Sequence, residues 1–401
     1  MRAILHSNLI AACKDLWSRL AFVGQPSLAA AGFQPALSDP AQVLTPGRSR
    51  LSSGSSDKPF VFNKPIPRSC QRFNPSRPGR VVPLKGGCRQ DCLPHFVKLL
   101  ALLALGALCA NATTFYVTIS GLGGEPDYDQ RFKMLATDID SSLKKAGGDS
   151  NVITMVAPTR EQIRTRLGEV AKQAKPTDAL VVMLIGHGSF DGVEYKFNIP
   201  GADISGAELA TLLDHVPAER QLVVNMTSSS GGSIEFLRKA NRVVIAATKT
   251  GTEKNATIFA RYWAEALRDP AADADKNESV SALEAFHYAQ QKTTEFFDSQ
   301  KRLATEHSVL EDTGKGEGEH TPSPQNGEGR LAAMFPVVRL GSNAAAARDP
   351  AKRALLDRKE QLEQAIDQLK YQKAAIPDNQ YKQQLTQFLL ALAQVQEEID
   401  K

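Results

Sequence analysis

Beyond residue 113 the chain alternates short apolar runs with longer stretches in which apolar positions recur every three or four residues. The runs are "TFYVTIS", "NVITMVA", "DALVVMLIG", "RQLVVNM" and "NRVVIAATK". The last three are nearly unbroken, as strands buried on both faces of a parallel sheet require. Helical periodicity fills the intervals in "DQRFKMLATDIDSSLKKAG", "TREQIRTRLGEVAKQA" and "GAELATLLDHV". This alternation predicts an α/β sandwich of three layers with a mostly parallel central sheet. In such sheets the chemistry sits at the carboxyl ends of the strands.

The pattern changes toward the C-terminus. Residues 311–330, "EDTGKGEGEHTPSPQNGEGR", have no period and read as a mobile loop, while 331–349 offer a last strand or edge segment in "LAAMFPVVRL". Residues 350–401 predict a helical hairpin, with Leu355, Leu362, Ile366 and Leu369 on one stripe and Tyr381, Leu385, Phe388, Leu392, Val395 and Ile399 on the other. Those stripes are too short for a sustained coiled coil, so packing on the main domain is the first expectation and an oligomer or partner contact the second.

The first quarter carries no comparable pattern. Residues 1–96 hold 13 Lys and Arg against 4 Asp and Glu, with many Pro and Ser, and are expected to be a disordered leader or a mis-assigned upstream region. Residues 97–112, "VKLLALLALGALCANA", have a basic start, an apolar run and an Ala-Asn-Ala ending, the shape of a secretory signal peptide too short to span a bilayer. The mature chain then starts near Thr113, exported to the periplasm or the extracellular space, without a transmembrane segment. All 5 cysteines lie at or before residue 109, so the mature chain has neither disulfide nor thiol. Cys88 and Cys92 have no second pair to make a zinc site. The mature part is acidic by about 6 charges, which argues against nucleic acid as a partner.

Two strand ends carry candidate chemistry. "ALVVMLI" runs into Gly186-His187-Gly188, and "QLVVN" runs into Thr227-Ser228-Ser229-Ser230-Gly231. One imidazole and a hydroxyl cluster at neighbouring strand ends make a candidate site. The serines are also natural caps for the helix "SIEFLRKA", and free N–H groups at a helix start, lined by hydroxyls, hold anions.

In order and spacing these residues resemble the caspase and legumain class of cysteine peptidases, most of all the legumain side and its bacterial relatives, over roughly residues 113–270. Gly186-His187-Gly188 is similar to the family's His-Gly strand end. Ser230-Gly231 matches the end of its Ala-Cys-x-Ser-Gly motif, and "VIAATKTGTEKNATIFARYWAEAL" follows where the loop walling the specificity pocket should lie. The resemblance implies a caspase/legumain-like sandwich, residues 113–310, with His187 as general base and Gly188 and Ser228 offering N–H groups to an oxyanion. Ser229, Ser230, Gly231 and Glu253 would face a ligand, Glu253 selecting a basic side chain.

Where that family has its nucleophilic cysteine, this chain has Ser228. A thiol ionises near pH 8.5 and its thiolate is intrinsically nucleophilic, whereas a serine needs a base in direct hydrogen-bond contact, steered by a carboxylate. Asp191 and Glu194 are the nearby acids in sequence. The expectation is therefore a noncatalytic homologue binding a peptide, a protein or an acidic ligand, with a serine-type hydrolase as the alternative.

A second constellation lies at residues 273–284, "DADKNESVSALE". Asp273, Asp275, Asn277, Ser279, Ser281 and Glu284 occupy positions 1, 3, 5, 7, 9 and 12 of an EF-hand-like loop between predicted helices. Position 6, normally glycine, is Glu278. Calcium is the one cofactor the sequence suggests, and a calcium-stabilised interaction scaffold is the third functional expectation.

Overall fold

The computed structural model describes residues 112–148 and 150–401; the expectations for residues 1–96 and for the signal-like segment up to residue 111 lie outside the described residues. Strand β1 (Thr114–Ser120) leads through α1 (Pro126–Ala146) to β2 (Ser150–Val156), and α2 (Arg160–Gln173) leads to β3 (Ala179–Ile185). Three short strands follow, β4 (Gly188–Phe190), β5 (Tyr195–Phe197) and β6 (Ile204–Ser205), forming a small antiparallel sheet. Next come α3 (Gly206–Asp214), β7 (Arg220–Asn225), α4 (Ile234–Leu237), β8 (Arg242–Ala246) and α5 (Phe259–Ala266). The remainder comprises β9 (Ser279–Ser281), α6 (Ala282–Ser299), β10 (Val309–Glu311), α7 (Arg330–Ala333), β11 (Pro336–Arg339), α8 (Gly341–Ala346), α9 (Pro350–Tyr371) and α10 (Asp378–Asp400).

The central sheet has the order β10-β8-β7-β3-β1-β2, parallel throughout except for β10 against β8. Strand alternation sends β3 side chains to two cores. Leu180, Val182 and Leu184 meet Ile163 and Leu167 of α2 and Leu209 and Leu213 of α3. Val181, Met183 and Ile185 meet Phe132 and Ile139 of α1, Trp263 of α5 and Phe286 of α6. Full burial of each large apolar side chain stabilises by about 1.5–3 kcal/mol, and the three-layer arrangement follows from both faces needing cover.

Local signals set the helix ends. Pro126 opens α1 with Asp127 and Asp129 in its first turn, and Lys144 and Lys145 close it before Gly147. Capping boxes start α2 (Thr159 with Gln162) and α6 (Ser281 with Glu284).

Three places carry detail that the sequence pattern does not specify. "PVVR" does not join the central sheet; β11 pairs antiparallel with β9 instead. The outer strand beside β8 is β10, only three residues long and therefore too short to show a period. Residues 311–330, read as a mobile loop, fold back on that edge: Leu310 N–H donates to Glu319 O (3.0 Å) and Glu319 N–H to Leu310 O (2.8 Å).

The C-terminal hairpin buries Leu356, Leu362, Ile366 and Leu369 of α9 and Ile399 of α10. Arg339 of β11 clamps it, reaching Asp357 (2.6 Å) and Glu360 (2.6 Å) from a side chain 16% exposed. Removing one partner of a buried ion pair strands the others, so Arg339→Ala is expected to cost about 3 kcal/mol. Urea unfolding of wild type and variant measures this; indistinguishable curves would remove Arg339 as the clamp.

Candidate functional site

Because β3 and β7 are neighbours, the turns leaving them lie side by side. Gly188 touches the serine turn: a Cβ there would stand 2.5 Å from the Ser228 carbonyl oxygen and 2.7 Å from Thr227 Oγ1, so only glycine fits. Ser228 Oγ closes the contact. It donates to Gly188 O (3.0 Å) and accepts from Gly188 N–H (3.1 Å), with Ser228 only 2% exposed. A serine hydroxyl has one proton, and here a backbone carbonyl takes it.

His187 is held differently. Its ring stands edge-on to Tyr128 (4.9 Å between centroids) and Phe132 (5.2 Å). Burial pulls its pKa below the ordinary 6.5, opposed by the ring's hydrogen bond to the Gly123 backbone and by the charge of Asp129. Asp129 Oδ1 in turn accepts from Gly123 N–H (2.6 Å). Among the described residues no hydrogen bond joins His187 to Ser228. Nor do the acids next to it in sequence steer it: Asp191 Oδ1 accepts from Val193 N–H (2.9 Å) and Glu194 N–H (2.8 Å), and Glu194 pairs with Lys196 (3.1 Å).

The remaining polar groups of the turn face inward. Ser229, at φ +55°, donates its N–H to Glu253 O (2.8 Å), and its buried Oγ has no partner. Ser230 Oγ meets Thr248 Oγ1 (3.1 Å), which also accepts from Gly231 N–H (2.9 Å). Asn225, fully buried, ties the turn together, giving Nδ2 to Ser233 Oγ (2.9 Å) and receiving Thr227 Oγ1 (2.8 Å) and Tyr195 OH (3.3 Å) on Oδ1. Apart from the Ser229 hydroxyl, the serines thus satisfy a sharp buried turn, in which each unpaired polar group costs about 1–3 kcal/mol.

Glu253 is committed as well. Its carboxylate accepts from Lys249 N–H (2.8 Å) and pairs with His307 Nδ1 (2.6 Å), so it stitches the loop after β8 to the segment before β10 and does not stand free to select a basic side chain. The ring of Phe190 covers the backbone between the serine turn and that loop. A Cβ on Gly232 would meet it at 2.7 Å, and one on Gly251 closer still.

Sequence reasoning missed Asn225, Asp129, Phe190 and His307. Asn225 had a signal, an amide ending an otherwise apolar strand. The others act across 54 residues in the Glu253–His307 pair, or through a neighbouring element, and left none.

At residues 273–284 one oxygen each of Asp273, Asp275 and Glu284 lie within 4.8 Å of one another. Burial, then the charges of Glu284 and Asp273, push Asp275 up to about 7. The other positions behave locally: Asn277 Oδ1 accepts from Ser279 N–H (2.7 Å), Ser279 Oγ leans on Val338 O (3.5 Å), and Ser281 caps α6. Glu278, sixth in the loop, takes φ +63°, the left-handed conformation glycine would adopt, and its carboxylate is held by Ser342 Oγ and by Asn343 N–H (3.0 Å).

No protein-family model and no curated protein matches the chain. Solved structures similar to it include the Drosophila initiator caspase Dronc, at 12% identity and a TM-score of 0.35, covering 52% of this chain and 81% of that one. Caspase-1 from Spodoptera frugiperda is similar at 13% identity and a TM-score of 0.38, covering 51% of this chain and 87% of its own. A protein from Geobacter sulfurreducens is similar at 11% identity and a TM-score of 0.35, covering 53% and 96%.

A depressed histidine pKa means the fold favours the neutral ring. The stabilisation it contributes is present above about pH 6.5 and is lost as the pH falls through the folded value. An NMR titration of the His187 ring is expected to give a midpoint below 6.5; a midpoint at or above that value would contradict the buried setting described.

Proposed function

We propose that this chain is a noncatalytic protein on a peptidase-like fold, with Ser228 at the place of the nucleophile, and that it acts by binding a peptide or protein partner at the His187 and Ser228 face. The observation that carries this reading is the pair of hydrogen bonds between Ser228 Oγ and the Gly188 backbone. Serine catalysis needs the hydroxyl hydrogen-bonded to a base, and here it donates to a backbone carbonyl while His187 is engaged elsewhere. The Phe190 ring, packed over Gly232 and Gly251, supports the same reading by covering the backbone beside the serine turn. Leu122, 42% exposed in the loop ahead of Tyr128, offers the face an apolar contact for a partner.

The test is covalent labelling by a fluorophosphonate, with peptide turnover in parallel, on the purified protein and on Ser228→Ala. Wild type is expected to be as silent as the variant. Labelling present in wild type and lost in Ser228→Ala would establish a serine hydrolase and end the noncatalytic reading.

A second reading, compatible with the first, has its own observation: the three acids brought together at residues 273–284. An all-oxygen donor set suits a hard cation, and the exported location inferred from residues 97–112 would supply calcium. Asp273, Asp275 and Glu284 would hold the ion, which would neutralise their mutual repulsion and join α5 to α6. Calcium is expected to raise the melting temperature of wild type, and Asp275→Asn to make that rise measurably smaller. Equal rises in the two proteins would rule this loop out as the site. Among the described residues no helix is long and apolar enough to cross a membrane.

A further inference from the structure

A second group of acids, unrelated to the serine turn, lies where the segment after β10 folds back on the sheet edge. Glu311 is fully buried there. Its Oε1 is saturated, accepting from the N–H groups of Thr313 (3.0 Å), Lys315 (3.1 Å) and Gly316 (3.1 Å) and from Thr313 Oγ1 (2.7 Å). Four donors leave that oxygen no capacity for another. Its other oxygen, Oε2, is buried and has no partner.

Seventeen residues further on, at the return of the loop, Glu328 presents a second buried and unpartnered Oε2. The two carboxylates share a neighbour: a Cβ on Gly316 would stand 2.7 Å from Glu328 Oε1 and 3.6 Å from Glu311 Oε1. Glycine at 316 is what lets the two side chains close on the same spot. Burial first, and then the charge of Glu311 ahead of those of Asp312 and Glu319, pushes Glu328 up to about 7.

The surrounding groups do not neutralise the pair. Among the described residues neither Glu311 nor Glu328 forms a salt bridge. Asp312 spends its oxygens on Gly329 N–H (2.9 Å) and Ala332 N–H (3.1 Å). Arg238, which follows α4, gives Nη1 to Lys315 O (3.1 Å) and Gly316 O (3.0 Å). A buried carboxylate oxygen without a donor costs several kcal/mol unless a proton or a positive ion meets it.

From these positions we infer that Glu311 and Glu328 hold a hard divalent cation, of the calcium or magnesium class, with the unpartnered Oε2 of each as ligand. Oxygen-only ligands select such ions over zinc or copper. The ion closes the segment 312–329 against β10, locking the edge of the central sheet. It is a site separate from residues 273–284 and does not depend on calcium being bound there.

The experiment measures the melting temperature of the full chain, with and without added calcium chloride or magnesium chloride, in an Asp275→Asn background that weakens the 273–284 loop. Asp275→Asn is expected to keep a cation-dependent rise of about 3 °C or more, and Asp275→Asn/Glu328→Gln to lose it. Glutamine has the shape of glutamate, and circular dichroism of the double variant confirms that the fold survives. The inference is overturned if Asp275→Asn shows no cation-dependent rise, or if the rise is the same in the double variant. It is equally overturned if Glu328→Gln raises the melting temperature in chelator while wild type ignores both salts, because a proton and not a metal would then fill the gap.

Discussion

The bond pair between Ser228 Oγ and the Gly188 backbone joins the ends of two neighbouring parallel strands, and the rest of the site is arranged around it. Parallel strands expose unpaired backbone groups where they stop, because no hairpin closes them. In this chain a glycine without Cβ lets the turn after β3 approach the turn after β7, and a serine hydroxyl serves as both donor and acceptor between them. Asn225 and Thr227 then fix the second turn from below, and Thr248 links it to the loop after β8. Ser228 is thereby a structural tie between the two strand ends.

The same economy explains the acids around the site. Glu253 anchors a loop, Asp191 closes a turn and Asp129 organises the Gly123 backbone beside His187. None is left to orient an imidazole toward Ser228. Other acids are drawn together away from the site, at residues 273–284 and at Glu311 with Glu328.

The central layers were legible in the chain itself. Five apolar runs became β1, β2, β3, β7 and β8, and of these β3, β7 and β8, covered on both faces, left the nearly unbroken apolar signature. The turn residues were legible too, since glycines and serines after a strand mark a place where the backbone approaches another segment. What the chain could not disclose was partnership. Whether Ser228 faces His187 or Gly188 depends on rotamers set by the neighbouring strand, and β10 is too short to carry a pattern. The helical reading around residues 273–284 located the loop but not the division of labour inside it, where Ser281 and Glu284 also form the capping box of α6.

Native-state hydrogen exchange at the Gly188 amide tests the central claim most directly. If Ser228 Oγ is its acceptor, the amide is protected in wild type and exchanges rapidly in Ser228→Ala, while the amides of β3 and β7 keep their protection. A Gly188 amide that exchanges freely in wild type would mean that the hydroxyl is not tied to the backbone, and the account of Ser228 as a structural residue would fail.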